Sequence, residues 1–373
     1  MTRPPSLPPV VLGPVAVGGR TVRLRPARFD DVAEWRRIRL RDEERIRPFW
    51  ATTELDWEAR HTEAVWVREL LRGAADARAG VATSLAVEVD GRFAGQCALT
   101  DLDRWHHAGE LGIWVDSTVA GRGVGQLATA MLTDYAFDHL GLARVTAPTC
   151  VHNVGSRRAA AHAGLRQEAL MVSFMDVGGR RQDHELWAVL RDPDRPSSRV
   201  AHALRVHDGV EPDRPLPVSP ASLPRVPLTS PTVARTVARY RAGRLRARLR
   251  GRADDGPPPS ARAGEGTVRL VAVDPYRRTA RLLVDDAAAA APAADLDAAL
   301  RAVLDAAFGP LGLCRVSAVT GAGHDPRTVA LVAAGLRREG TMHDHRDLDG
   351  RRGEHDLWAT TVEDRAPAVG EHR

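Results

Sequence analysis

The chain has 373 residues, 43% hydrophobic and 27% charged, which is enough for two domains with sizeable cores. Its three cysteines, Cys97, Cys150 and Cys314, have no metal-ligand spacing, which argues against a disulfide scaffold and a structural zinc site; no run of about 18 apolar residues exists to cross a membrane. The net charge of +5 is unevenly spread: every basic residue is arginine, and residues 195–264 hold fourteen arginines against five acids.

Residues 1–17 are proline-rich, lack the apolar core of a signal peptide, and are expected to be a loose tail. Residues 20–26 read as a first strand that stops at Pro26. Asp30 and Asp31 stand where a helix N-cap belongs, ahead of Val32, Trp35 and Ile38 at near-helical spacing. A second helix is expected over 57–73, with Ala64, Val67, Leu70 and Leu71 on one face. Residues 85–89 and 92–99 flank Asp90-Gly91 and read as a hairpin. A strand over 110–115, a glycine-rich loop, a helix over 125–139, a strand over 143–148 and a short helix over 156–163 follow. Strands over 167–176 and 183–190 close a mixed α/β (α+β) domain over 18–194.

Eleven of the 25 prolines fall in 195–264, so this stretch reads as a linker carrying one basic helix over 232–252. Beyond it the chain repeats itself. Sliding residues 137–187 by 171 positions matches 22 of 51, including Leu140-Gly-Leu142 on Leu311-Gly-Leu313 and Leu186-Trp187 on Leu357-Trp358. Residues 265–362 therefore read as a truncated second copy, and 363–373 as a tail.

The loop Ala120-Gly-Arg-Gly-Val-Gly125 lies between a strand and a helix, where glycines let main-chain N–H groups converge on an anion. It has neither the lysine of a Walker A loop nor the third glycine of a dinucleotide fingerprint. With Arg23-Leu-Arg-Pro26, Arg47-Pro-Phe-Trp50, Trp114-Val-Asp116, Asn153-x-x-Ser156 and Asp183-His184, it resembles the GNAT acetyltransferase superfamily, within it the ribosomal-protein-alanine N-acetyltransferase (RimJ-like) group. The family's leading Q/R position is Ala120 here.

The resemblance implies a GNAT fold that uses acetyl-CoA and no metal. Main-chain N–H groups of Arg122, Gly123, Val124, Gly125 and Gln126 would hold the pyrophosphate. The strand ending at Val115 would splay and pair with the pantetheine, Asn153 would hold the cofactor arm, and Ser156 would lie near the thioester. Glu110, at the start of the central strand, is the expected base, and Ser156 is the expected proton donor or a helix N-cap. His106, His107, Asp183 and His184 read as loop and core residues. In the second copy Ser156 becomes Arg327, Asn153 becomes His324, and Asp285 and Asp286 replace the glycine cradle, so it is expected not to bind CoA. The implied reaction is cytoplasmic acetyl transfer to an amine, expected to be a protein N-terminus, with ribosome or RNA contact through Arg235–Arg252. A small-molecule amine acceptor (an antibiotic, a polyamine or an amino acid) and a non-catalytic acyl-CoA-binding scaffold are the alternatives.

Overall fold

The structure, a computed structural model, describes residues 5–191, 198–210, 215–223, 225–228, 230–250, 258–323, 325–346 and 352–365. The chain divides into two compact units: residues 1–167 with 187–250, and residues 168–186 with 251–373.

The first unit opens with β1 (Val10–Val17), β2 (Arg20–Pro26), α1 (Val32–Arg41), α2 (Glu43–Ile46) and α3 (Glu63–Ala79). It continues through β3 (Thr83–Val89), β4 (Arg92–Asp103), β5 (Ala108–Val115), α4 (Val124–Asp138), β6 (Arg144–Cys150) and α5 (Val154–His162). The strands β7 (Arg166–Val177) and β8 (Arg180–Leu190) come next, then α6 (Arg199–Asp208), β9 (Val218–Pro220) and α7 (Pro231–Arg250).

Its sheet has the order β9-β1-β2-β3-β4-β5-β6. Residues 10–17, expected in a loose tail, are a strand: Val10, Leu12 and Val17 are buried, and β1 pairs with β2 across the Gly18-Gly19 turn. Asp90 and Gly91 both have positive φ, the geometry a tight two-residue hairpin needs. The second helix begins at Glu63, six residues later than expected, because the Thr62 side chain caps it and residues 59–61 form a separate 3-10 turn.

One face of the sheet packs on α4, whose residues are buried almost without interruption from Val124 to Phe137. The other face meets α1 and α3 through Trp35, Ile38, Trp66 and Leu70. Residues 195–264 hold more than a linker. α6 buries Val200, Ala203 and Leu204 in the same core as α4. The Asp134 carboxylate of α4 accepts hydrogen bonds from the Ser198 hydroxyl at 2.7 Å and from the N–H groups of Arg199 and Val200 at 2.7 and 3.1 Å. α7, near its expected place, packs through Val233 and Val237 against Val67 and leaves Arg235, Arg239, Arg241, Arg244 and Arg246 exposed. Residues 251 and 252 of the expected basic helix lie outside the described residues.

The second unit contains β10 (Ser260–Ala263), β11 (Gly266–Asp274), β12 (Thr279–Val284), α8 (Asp286–Ala289), α9 (Ala293–Phe308) and β13 (Arg315–Gly321). It ends with α10 (Arg327–Ala333), β14 (Arg337–Arg346), β15 (Arg352–Thr361) and α11 (Val362–Arg365). The run β12-α9-β13-α10-β14-β15 follows the order of β5-α4-β6-α5-β7-β8, and the pair Thr279↔Arg315 stands 171 positions from Ala108↔Arg144. Residues 168–186, the greater part of the β7–β8 hairpin, belong to this unit: its sheet order is β8-β7-β14-β15-β13-β12-β11-β10, with Gly340 paired to Ala169. A Cβ on Gly340 would stand 2.1 Å from the Glu168 carbonyl oxygen, so only glycine allows that approach. Here Asp183 accepts the Ser173 N–H at 2.8 Å, and His184 is buried against the Phe174 ring.

Candidate active site

β5 and β6 run parallel through Ala108↔Arg144, Gly109↔Val145 and Glu110↔Thr146, and their pairing stops there. Both strands continue, β5 to Val115 and β6 to Cys150, so a gap opens beyond Glu110. Main-chain groups alternate sides along a strand. The Asp116 N–H donates to Ala94 O at 2.7 Å on the β4 side, so the peptide groups of Val115, Ile113 and Leu111 face the gap. The Val115 carbonyl, expected to pair with a ligand, already accepts from the Arg45 guanidinium. The carbonyls of Leu111 and Ile113 are the ones left beside the gap.

The face of β5 turned from α4 carries Glu110, Gly112 and Trp114, opposite Thr100, Ala98 and Gln96 of β4. Glu110 is half-buried at the point where the strands part. Gly112 is exposed, and a Cβ there would meet nothing within 4 Å.

The gap leads to the glycine loop. Gly121 and Gly123 both have φ of +75°, and Gly123 is the N-cap of α4. No side chain caps this helix and its first turn holds no acid, so the N–H groups of Val124, Gly125 and Gln126 remain available to an anion. A Cβ on Gly121 would meet nothing, and one on Gly125 only Val115 at 3.9 Å. Gly123 differs: its Cβ would stand 2.5 Å from the His207 ring and 2.7 Å from Val17. Packing against α6 and β1 therefore demands glycine at 123 independently of any ligand.

The loop's start is tied to α1. Asp42 accepts the N–H and the hydroxyl of Ser117, both at 2.8 Å, and Asp116 accepts those of Thr118 at 2.7 and 2.8 Å. Arg41 bridges the two carboxylates. Burial works to raise the Asp42 carboxyl, but Arg41 and Ser117 outweigh it and hold it down to about 2.

At the far side of the gap, Asn153 caps α5, its Oδ1 accepting the Ser156 N–H at 3.1 Å. Ser156 is thus not the N-cap: the helix starts two residues earlier than expected, and the capping oxygen comes from Asn153. The predicted residues accordingly gather at the carboxyl ends of two parting parallel strands, where α/β sheets bind ligands. The histidines of the 104–107 loop serve the loop: His106 Nδ1 pairs with Asp103, and His107 Nδ1 donates to Gly141 O at 3.1 Å. Two groups escaped the sequence reading, Arg39 and Glu69, and Trp50 entered it only as part of a motif, with no role given. The i, i+4 pair Trp35/Arg39 was the available signal, an arginine on the helix face whose other members are apolar.

A family model described as the acetyltransferase (GNAT) domain matches residues 21–166. The structure of Mycobacterium smegmatis RimJ in complex with CoA-disulfide matches with a TM-score of 0.51 at 33% identity, over 53% of this chain and 94% of that one. The chain belongs to the GNAT acetyltransferase family. Two Bacillus subtilis (strain 168) proteins are also similar. One, named as an N-acetyltransferase, YjcK, is 31% identical over 84 residues, 22% of this chain and 46% of its own length. The other, named as a ribosomal N-acetyltransferase, YdaF, is 29% identical over 102 residues, 27% of this chain and 56% of its own. The chain thus spans about half the length of these two curated relatives.

Among the described residues no helix is long and apolar enough to cross a membrane, and no group of three or more His, Cys, Asp or Glu converges on a metal site.

Proposed function

We propose that this protein is an acetyl-CoA-dependent N-acetyltransferase that modifies the N-terminal α-amine of a protein, acting in the cytosol. One observation carries the reading: β5 and β6 part at Glu110↔Thr146 and the gap runs to the uncapped, glycine-led start of α4. These residues fit the cofactor, because the N–H groups are free and neither Gly121 nor Gly125 is crowded. Acetyl-CoA supplies an acyl group activated as a thioester.

The chain's own residues do the rest. N–H groups of Arg122 to Gln126 bind the pyrophosphate, helped by the positive end of α4. The open peptide groups of Leu111 and Ile113 hold the pantetheine, and an N–H beside the gap stabilises the carbonyl oxygen as charge builds on it. The Asn153 amide steadies the cofactor arm. Glu110 takes a proton from the acceptor's ammonium through a water so that the neutral amine attacks, and the Ser156 hydroxyl returns one to the departing thiolate. The exposed arginines of α7 give a phosphate-attracting surface that suits a ribosomal acceptor. Residues 265–362 are proposed to be a degenerate second copy that holds no CoA.

Calorimetric titration of acetyl-CoA into the wild type and Gly125→Glu tests the cradle. A carboxylate there is sterically tolerated and suits a helix N-terminus, so the variant stays folded. Affinity should fall at least tenfold; unchanged affinity removes the cradle assignment. Loss of thiol release from acetyl-CoA and a peptide in Glu110→Gln, with a changed pH profile, is the expected sign of the base.

A further inference from the structure

Trp35 and Arg39 lie one turn apart on α1 and carry donors without partners. Trp35 is 0% exposed with Nε1 unpaired, and Arg39 is 1% exposed with Nε and Nη1 unpaired. Nη2 is the one guanidinium nitrogen not sealed off in this way. The guanidinium lies between two indoles, 3.7 Å from the Trp50 ring centroid and 3.9 Å from that of Trp114. Among the described residues no carboxylate pairs with it. Leaving a buried donor unmet is costly, and more so when it is charged. Burial pulls its pKa down to about 9, so it remains a cation at neutral pH.

The nearby anion is Glu69 of α3. Its side chain is open to solvent and hydrogen-bonds Gln96. Gln96 links it to the sheet, its Oε1 accepting the Trp114 Nε1–H at 3.0 Å. A cation and a carboxylate that make no direct ion pair thus stand at one end of the floor formed by Ala98 and Gly112. That arrangement matches an acceptor bearing both an ammonium and a neighbouring oxygen.

We propose that Arg39 and Glu69 form the subsite for the terminal residue of a peptide acceptor: Glu69 holds the ammonium, and Arg39 donates to the carbonyl oxygen beside it. The proposal rests on the acetyl-transfer reading above. An amine with no adjacent oxygen leaves Arg39 unmet, and a polyamine adds a second cation beside it.

Steady-state kinetics with the full chain tests it, using a tripeptide with a free N-terminus and isopropylamine, which keeps the branched amine but lacks the carbonyl. Arg39→Met should raise KM for the tripeptide at least tenfold and leave that for isopropylamine within twofold, with acetyl-CoA KM unchanged. Glu69→Gln, at a solvent-exposed position, should raise KM for both acceptors. Should Arg39→Met not fold, Trp50→Ala removes one wall of the sandwich and should narrow the same selectivity. A drop in kcat shared by both acceptors, with KM unmoved, would mean a structural role and overturn the subsite. Wild-type turnover of neither acceptor overturns the acetyl-transfer reading, and the subsite with it. Turnover of the tripeptide with unaltered selectivity in Arg39→Met and Trp50→Ala overturns the subsite alone.

Discussion

The His207 ring fills the space that a side chain on Gly123 would need, 2.5 Å from the would-be Cβ. Gly123 also sits at φ +75°, where an L side chain is strained. Gly123→Ala should therefore cost roughly 2–4 kcal/mol, the sum of backbone strain and overpacking. Gly121→Ala, with the same φ and open space, should cost only about 1 kcal/mol. Thermal unfolding compares the two. His207→Ala should recover part of the loss at 123 and none at 121; equal costs at both glycines would refute the contact.

Asp134 fastens α6 to α4 through one hydroxyl and two N–H groups. Asp134→Ala leaves these donors without their acceptor and should cost about 2–4 kcal/mol. Hydrogen exchange should rise first in α6, which packs on α4 and β1. Protection of α6 equal to wild type would show that its apolar face alone holds it.

Acid stability should fall in two windows. Burial, against a hydrogen bond to Trp57 O and with Arg39 nearby, pulls His61 down to about 4. The unfolded residue takes its proton near 6.5. The folded state thus holds its advantage above about pH 6.5 and loses it as pH falls toward 4. Asp42, held to about 2, contributes stability above about pH 4 that is lost as pH falls through 2, an effect of about 2 kcal/mol. Chemical denaturation from pH 7 to 2 should show His61→Gln flattening the upper slope and Asp42→Asn the lower. A single slope untouched by either variant would contradict both assignments.

The second copy should take no CoA, and its structure supplies a reason beyond the missing glycines. Arg327, where the first copy has Ser156, donates to Val284 O at 2.9 Å and pairs with Asp325 and Asp286. Its guanidinium therefore spans from α10 to the end of β12, the place that corresponds to the open gap of the first copy. Asp285 is not a free repelling charge: it caps α8 and accepts the Thr267 N–H at 3.0 Å. His324, the counterpart of Asn153, lies outside the described residues. Titration of the full chain should give one acetyl-CoA per molecule; two would refute the assignment.

Much of this was legible in the chain. The Asp90-Gly91 turn, the strand into Trp114-Val-Asp116 and the glycine loop are set by local rules, and they stand where those rules put them. What was not legible depended on distant partners. β1 contains Gly13-Pro14 and is followed by two glycines, and is a strand because β2 lies beside it. α6 lies in a proline-rich stretch; Ser198 caps it, and Asp134, 64 residues earlier, accepts the Ser198 hydroxyl. Arg39 is one of four arginines on α1. Only the approach of Trp50 and Trp114 from other elements made it a buried cation.

Residues 168–186 joining the later unit imposes an order in time. A chain leaving the ribosome at about 5–20 residues per second exposes this hairpin roughly 8–30 s before residues 337–346, its strand partner, are made. During that interval the edge of β7 has no neighbour on the β14 side. A nascent chain of this protein should accordingly be most prone to wrong pairing, or most in need of a chaperone, after the first unit has formed and before residues 337–346 appear.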